Sequence, residues 1–241
     1  MTDRPRLLEG CTALVTGASG GIGAEIAIAL AEEGAKLALH YRQQKPKLAI
    51  EKIAEMGGVA MPFQSDFSTP QFQAKLQDDI ERQLPGLNLL VNCAADQQIE
   101  PLASMTQTSF EAMIATNLTA VFLLSQEFAN RRANDKSSPA SIVNVSSVEA
   151  HRPASGHGHY AVSKAGLETL TKSMALEFGH TGLRVNAIAP GLIARENIET
   201  DWPQGVQKWN AACPLGRMGQ ARDVANAVVF LASKNAAFIN G

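Results

Sequence analysis

The sequence predicts one α/β domain spanning residues 1–241: a doubly wound, Rossmann-type parallel sheet with helices on both faces. Three observations carry this. Six short apolar runs recur along the chain, at 12–15, 36–40, 59–63, 87–91, 141–145 and 183–188. Most are continuously apolar rather than alternating, as strands buried on both faces are. Amphipathic stretches separate them. In the first stretch Ile22, Ile26 and Leu30 recur at helical spacing, and Gly34 supplies a C-terminal stop. Repeated strand–helix alternation implies right-handed crossovers and a helix-covered parallel sheet. A glycine-rich turn follows the first strand directly. At 241 residues the chain can bury a substantial core, and no low-complexity segment or linker divides it.

Composition narrows the function. Hydrophobic residues make up 45% and charged residues 18%, with a formal net charge of -2, so nucleic acid is not an expected partner. No run of ~18 apolar residues suggests a membrane span. Met1 to Gly10 lacks the apolar stretch of a signal peptide. The cysteines Cys11, Cys93 and Cys213 are scattered and lack metal-ligand spacing, so the reducing cytoplasm is the expected compartment. Residues 190–222 are too long for an ordinary connection and carry Trp202, Trp209 and Met218. Ordered loops of this length often cover a site, and a substrate lid is expected here. A helical run at 223–233 follows, and the sequence stops at Gly241 without another strand.

The turn reads Thr16-Gly17-Ala18-Ser19-Gly20-Gly21-Ile22-Gly23 and runs straight into a helix. Glycines let backbone approach a pyrophosphate, while the helix start offers free N–H groups and partial positive charge. The spacing is neither the generic dinucleotide fingerprint nor a P-loop. Alone, it reads equally well as a tight turn with nothing bound. One strand later the chain has His40-Tyr41-Arg42, with no carboxylate for ribose hydroxyls. Arg42 can pair with a 2′-phosphate, which an acid would repel, so NADP(H) is favoured over NAD(H).

Tyr160 and Lys164 stand four apart in a helix-compatible stretch, so phenol and ammonium share one face. A nearby cation favours phenolate, which brings a tyrosine of pKa ~10 toward acid–base work. Ser146-Ser147 ends the fifth strand, at the edge where open α/β sheets bind ligands. A hydroxyl there either holds a substrate oxygen beside the phenol or caps the next turn. Asn117 falls in a helix expected over 113–124, where it either holds a water or faces solvent.

With these residues in place, the chain resembles the short-chain dehydrogenase/reductase family in its compact form, from Gly10 to Gly241. The matches run in family order: the glycine turn at Thr16, Asp66, Asn92-Cys93-Ala94-Ala95, Asn117, Val143-Asn144-Val145-Ser146-Ser147, Tyr160 to Lys164, and Arg184 to Gly191. The resemblance implies that Tyr160 is the acid–base residue and that Lys164 lowers its pKa and binds the nicotinamide ribose. It assigns Ser147, rather than Ser146, to the substrate oxygen, and Asn117 to a water-linked proton relay through Lys164. Cofactor contacts are implied at Thr16, Gly17, Ser19, Gly21, Ile22, Gly23, Tyr41 and Arg42. Asp66 and Phe67 would flank the adenine, and Asn92 and Ala94 the ribose side. Pro190, Gly191 and Ile193 would approach the carboxamide. Locally, Asp66 also reads as a helix N-cap before Phe72. Ala95 stands where the family has glycine, so the backbone there either avoids positive φ or tolerates strain. The family commonly ends with a further strand and tail that help build its subunit interface. A homo-oligomer, tetramer or dimer, is expected, with the tetramer in question because that ending is missing here.

The substrate side is less specified. Between Ser147 and Tyr160 lie Glu149, His151, His157 and His159, a polar loop for a plain aliphatic ketone. Glu149, His157 and Trp202 are candidate substrate contacts. His157 and His159 form a weak ligand set, and no metal is expected. The leading expectation is an NADP(H)-dependent enzyme moving hydride between nicotinamide and a small polar carbonyl/alcohol pair. A 3-oxoacyl-acyl-carrier-protein reductase is the alternative. There a basic residue commonly precedes the glycine matching Gly182, where this chain has Thr181, although Arg131, Arg132 and Lys136 add some positive charge. His40-Tyr41-Arg42 is also reminiscent of pteridine reductases, whose glycine loop usually carries an arginine where Gly20 or Gly21 stands here. A non-catalytic NADP sensor would have no need of Ser147, Tyr160 and Lys164 together. A sugar-nucleotide epimerase would need a larger C-terminal domain.

Overall fold

The computed structural model describes residues 5–134 and 139–241. Lys136 lies outside them. Six parallel strands form one sheet in the order β3-β2-β1-β4-β5-β6, with β1 Thr12–Val15, β2 Lys36–Tyr41, β3 Ala60–Gln64, β4 Leu87–Asn92, β5 Ala140–Val145 and β6 Leu183–Ile188. Strand order reverses between β1 and β4. That reversal opens the crevice at the C-terminal strand ends where such sheets bind ligands.

Helices α1 Gly21–Glu32, α2 Lys47–Glu55, α3 Phe72–Gln83, α4 Gln107–Ile114, α5 Ala120–Asn134, α6 Gly158–Phe178, α7 Ile198–Asp201, α8 Pro203–Ala212 and α9 Ala221–Ala232 complete the fold. The two faces of the sheet are filled by alternate residues of the same strands. Ala13, Val15, Leu37, Leu39, Val91 and Val143 pack with residues of α1 and α9. Leu14, Ala38, Leu90, Ile142 and Val185 pack with residues of α3, α5 and α6. This double burial explains the unbroken apolar runs.

Three local departures from the expected elements matter. The helix expected over 113–124 is α4 and α5 joined by a π turn at Ala115–Thr119, and Asn117 in that turn is fully buried rather than solvent-facing. The continuous helical run Gln107–Ala133 is long and apolar enough to cross a membrane by length and composition. Its residues Ala120, Leu124, Phe128 and Ala129 lie in the core against the sheet, as in a core helix. Residues 190–222 are not plain loop. They hold α7 and α8, and a small apolar cluster of Ile198, Val206 and Met218 with Leu192, Ala194 and Trp209 packed on it. A parallel bridge between Ile193 and Gly219 closes this segment at its base. Arg222 at the start of α9 then clasps Glu25 and Glu32 of α1. Residues 239–241 run beside β6, where Gly241 N–H donates to Val185 O at 2.9 Å and Asn186 donates to Ile239 O at 2.9 Å.

Candidate active site

The C-terminal strand ends border an open cleft of about 2040 Å³. One wall of it is the glycine turn. Thr16 does not face the cleft. Its hydroxyl accepts from Cys93 N–H (2.9 Å) and Ala94 N–H (3.0 Å), which ties the end of β1 to the end of β4. Gly17 has φ +68°, and a Cβ on it would lie 2.8 Å from Ala94 Cα. A Cβ on Gly23 would lie 2.3 Å from Gly17 O. Backbone therefore packs where side chains would lie, and the turn closes against Ala94 and upon itself. Gly21 (φ +55°) meets nothing on its open side. Helix α1 starts here with no side-chain cap and no acid in its first turn, so its first N–H groups and positive end face the cleft. Ser19, Gly21, Ile22 and Gly23 line it.

His40 fastens this wall. Gly17 N–H donates to His40 Nδ1 (3.3 Å), Ala18 N–H donates to His40 O (3.0 Å), and His40 Nε2 faces Ser65 O at 3.1 Å. With Nδ1 accepting, Nε2 carries the proton. The ring stacks on Phe67 at 4.3 Å between centroids. Burial pulls its pKa down to about 4, partly opposed by the Ser65 carbonyl. A folded pKa below the unfolded 6.5 means that the unfolded chain takes up this proton first. The contribution is complete above pH 6.5 and is lost as pH falls toward 4, about 3 kcal/mol in all. Chemical denaturation midpoints measured from pH 7 to 4.5 are expected to fall more steeply for the native chain than for His40→Gln. Parallel curves would rule this role out.

Arg42 is exposed and lines the cleft with Gln43 and Gln44, while Tyr41 is half-buried and does not line it. Ser19 Oγ donates to Gln44 O at 2.6 Å, which holds that turn against the glycine loop. Asp66 does not cap α3, whose N-cap is Gln71. Its Oδ1 accepts from Ser68 N–H (2.9 Å) and Ser68 Oγ (2.8 Å), and these bonds, with Arg42 nearby, hold its carboxyl below the usual range. Ala94, Pro190, Gly191 and Ile193 line the cleft. The Asn92 side chain points inward instead, donating to Asn144 Oδ1 (2.8 Å) and Ser125 Oγ (3.0 Å). Asn144 donates to Thr171 Oγ1 at 2.9 Å, so a buried polar chain joins β4, β5, α5 and α6. Ala95 does not adopt positive φ; among the described non-glycine residues only Gln71 and Asn197 do.

Across the cleft, β5 and α6 bring the reactive groups together. Tyr160 and Lys164 are both buried, with Lys164 Nζ 5.7 Å from the Tyr160 ring centroid and donating to Val145 O at 2.8 Å. Burial lowers the ammonium to about 8, against a smaller opposing pull from Cys93. It therefore stays mostly charged at neutral pH. Burial also pushes the Tyr160 phenol up; the Ser147 hydroxyl acts to lower it, while Glu149 and Cys93 raise it. In the chain by itself, burial thus outweighs the lowering that was expected from Lys164. Ser147 caps a 3-10 turn by accepting from Glu149 N–H at 3.1 Å, and its hydroxyl also lies beside the phenol. Ser146 is turned to Glu168, donating at 2.9 Å.

Asn117 clamps main chain. Its Oδ1 accepts from Asp96 N–H (2.8 Å), and its Nδ2 donates to Asp96 O (2.8 Å) and lies 3.2 Å from Ser163 Oγ. π turns recur at functional sites because they swing one side chain out of helical register. Glu149, His157 and Trp202 also line the cleft. His157 turns to Glu149 while His159 is buried in α6, so the two histidines do not converge.

Sequence reasoning missed His40, Asn144 and Ser163. The signal for His40 was available: it is the polar residue that interrupts an otherwise apolar run.

The reversal in strand order and the glycine-rich turn leading into α1 place the chain in the Rossmann-type α/β class. A family model described as enoyl-(acyl carrier protein) reductase matches residues 17–241. The 3-oxoacyl-acyl-carrier-protein reductase FabG of Staphylococcus aureus is 34% identical over 232 residues, covering 95% of this chain and 94% of that protein. Gluconate 5-dehydrogenase of Gluconobacter oxydans is 33% identical over 252 residues, covering 97% and 92%. Among solved structures, an Agrobacterium tumefaciens protein described as a candidate 2-deoxy-D-gluconate 3-dehydrogenase, with bound NADP, superposes with a TM-score of 0.89 at 31% identity, covering 99% of this chain and 95% of that one. The chain belongs to the short-chain dehydrogenase/reductase family and is an oxidoreductase of CH–OH and C=O groups.

Proposed function

We propose that this chain is an NADP(H)-dependent reductase or dehydrogenase of a small polar carbonyl/alcohol pair. The observation that carries this reading is the meeting of Tyr160, Ser147 and Lys164 in one buried corner of the glycine-walled cleft. Support for a dinucleotide comes from the close backbone packing of the turn, where a Cβ on Gly17 or Gly23 would meet Ala94 Cα or Gly17 O. Gly17, Ser19, Gly21, Ile22 and Gly23 would hold the pyrophosphate, with Thr16 bracing them. Arg42, with Tyr41 beside it, would take the 2′-phosphate, Asp66 and Phe67 the adenine, and Ala94 with the Asn92 main chain the ribose. Pro190, Gly191 and Ile193 would meet the carboxamide, under a lid formed by residues 190–222.

When bound, the nicotinamide supplies or takes up hydride. The remaining chemistry belongs to the chain. Ser147 holds the substrate oxygen by a hydrogen bond and fixes its distance from Tyr160. Tyr160 gives that oxygen a proton in reduction or removes it in oxidation. Lys164, held by Val145 O, keeps positive charge beside the phenol and favours its ionised form. Asn117 holds the main chain at Asp96, and a water bound there would relay the proton through Lys164.

The test is titration with NADPH and NADH, then a carbonyl panel followed by loss of reduced-nicotinamide absorbance. The panel comprises small diketones, keto-sugars, a pterin and an acetoacetyl thioester. Binding without turnover of any member would favour a sensor instead. Arg42→Asp is expected to shift the NADPH-to-NADH affinity ratio roughly 100-fold toward NADH, since a charged hydrogen bond is replaced by repulsion. An unchanged ratio would show that Arg42 does not read the phosphate.

A carrier-protein reductase is the second reading, favoured by the name of the S. aureus relative. Thr181 and the polar Glu149–His157 wall speak against it, and the thioester arm of the panel decides. The free cysteines Cys11, Cys93 and Cys213 support a reducing cytoplasm. Exposed Val162, Leu176 and Phe122 on α6 and α5 support a homo-oligomer, dimer or tetramer.

A further inference from the structure

The substrate end of the cleft holds a polar pair that the acid–base chemistry does not use. Glu149 is two residues past Ser147, on the 3-10 turn that Ser147 caps. His157 is the N-cap residue of α6, three before Tyr160 and so on the same helix face. The pair joins these two elements: both Glu149 carboxylate oxygens approach His157 Nδ1, at 3.0 and 2.8 Å. Both side chains are largely buried, with 14% and 15% exposed, so the bond is desolvated and the imidazole is held in one orientation. The ring meets the Tyr160 ring edge-on, with centroids 6.0 Å apart. Among the described residues His157 Nε2 has no partner, and His157 lines the cleft.

From this geometry we infer that Glu149 and His157 bind a hydroxyl on the carbon next to the reacting carbonyl, and so select α-hydroxy ketones and vicinal diols. The inference rests on the oxidoreductase reading of Tyr160 and Ser147 above. Those two residues place the reacting oxygen, and an imidazole one ring-width from the phenol then faces the neighbouring carbon. With Nδ1–H donating to the carboxylate, a neutral His157 offers a bare acceptor at Nε2; a protonated one offers a donor. A hydroxyl both donates and accepts, so it satisfies Nε2 in either state. A methylene satisfies neither and leaves that nitrogen without a partner, which is how sites built for a hydroxyl reject the analogue lacking it. The buried Glu149 carboxylate also repels a substrate carboxylate at that position.

The experiment compares kcat/KM for two matched ketones, 3-hydroxy-2-butanone and 2-butanone, with NADPH and the full chain. The native chain is expected to prefer the hydroxy ketone by roughly 100-fold or more. In His157→Leu the preference should collapse to within a few-fold of unity, while His157→Gln, which keeps a hydrogen-bonding group, should recover part of it. NADPH titration of each variant checks that the cofactor side is intact. A pair that merely pins the loop would slow both ketones together and leave their ratio unmoved, and that result overturns the inference. So does a native chain that reduces both ketones equally, or only the deoxy one. Failure to reduce either ketone or any member of the carbonyl panel would instead defeat the proposed reading of Tyr160 and Ser147, and this inference with it.

Discussion

Tyr160→Phe is expected to lower kcat about 1,000-fold while changing the Kd for NADPH by no more than a few-fold. The substitution removes one oxygen atom and leaves the ring, so the contact with Lys164 and the edge-on packing of His157 survive. The loss is then that of a positioned acid–base group, which is typically 100- to 10,000-fold. The chain has only two tyrosines, Tyr41 and Tyr160, so alkaline ultraviolet titration resolves the second against the first. In the protein alone, burial places the Tyr160 ionisation above that of an ordinary tyrosine. The high-pH step in its titration should vanish in Tyr160→Phe. NADP⁺ adds positive charge beside the phenol and is expected to move that step downward. Retained turnover in the variant would remove Tyr160 from the acid–base role; an unmoved step would remove the electrostatic explanation for it.

Gly23→Ala is expected to weaken NADPH binding at least 100-fold and to cost about 1–3 kcal/mol of stability, as overpacking a rigid site does. Its Cβ would lie 2.3 Å from Gly17 O and 2.9 Å from Gly17 C. Neither atom can retreat easily. Gly17 N–H is held by His40, Ala18 N–H by the His40 carbonyl, and Ala94 backs the same peptide. The wall itself must therefore shift, and the pyrophosphate surface shifts with it. Calorimetric titration with NADPH and a urea denaturation curve test the two parts separately. Native affinity in the variant would show that the wall is softer than its hydrogen bonds imply.

Much of this was legible in the linear order of residues. Strands β1 and β6 fall at the ranges the apolar runs predict, and β3 is displaced by one residue. Apolar runs report burial on both faces directly, since each strand must satisfy two helix layers. Local chemistry was ambiguous wherever a polar side chain had two possible partners. Asp66 reads as a helix cap, yet it folds back on Ser68, because the chain runs five more residues before α3 starts. Asn92 sits at a strand end that borders the cleft, yet its amide serves the interior, because Asn144 is its register partner across β4 and β5. On local sequence Asn117 read as either holding a water or facing solvent, because nothing signals the π turn, whose buried amide contacts come from Asp96 and Ser163, far away in sequence.

The sequence by itself determined the fold class, the order of the strands along the chain, the glycine wall and the helical Tyr160–Lys164 spacing. The turn and the spacing each depend on residues within one or two helical turns of one another, and the fold class follows from the recurrence of such local runs along the chain. Only the tertiary structure decided which polar groups point into the cleft and which brace it. It alone set His40 behind Gly17, Asn92 against Asn144 and Glu149 against His157. Those pairings are made across elements, and the burial that raises the Tyr160 phenol and lowers Lys164 comes from the packed whole.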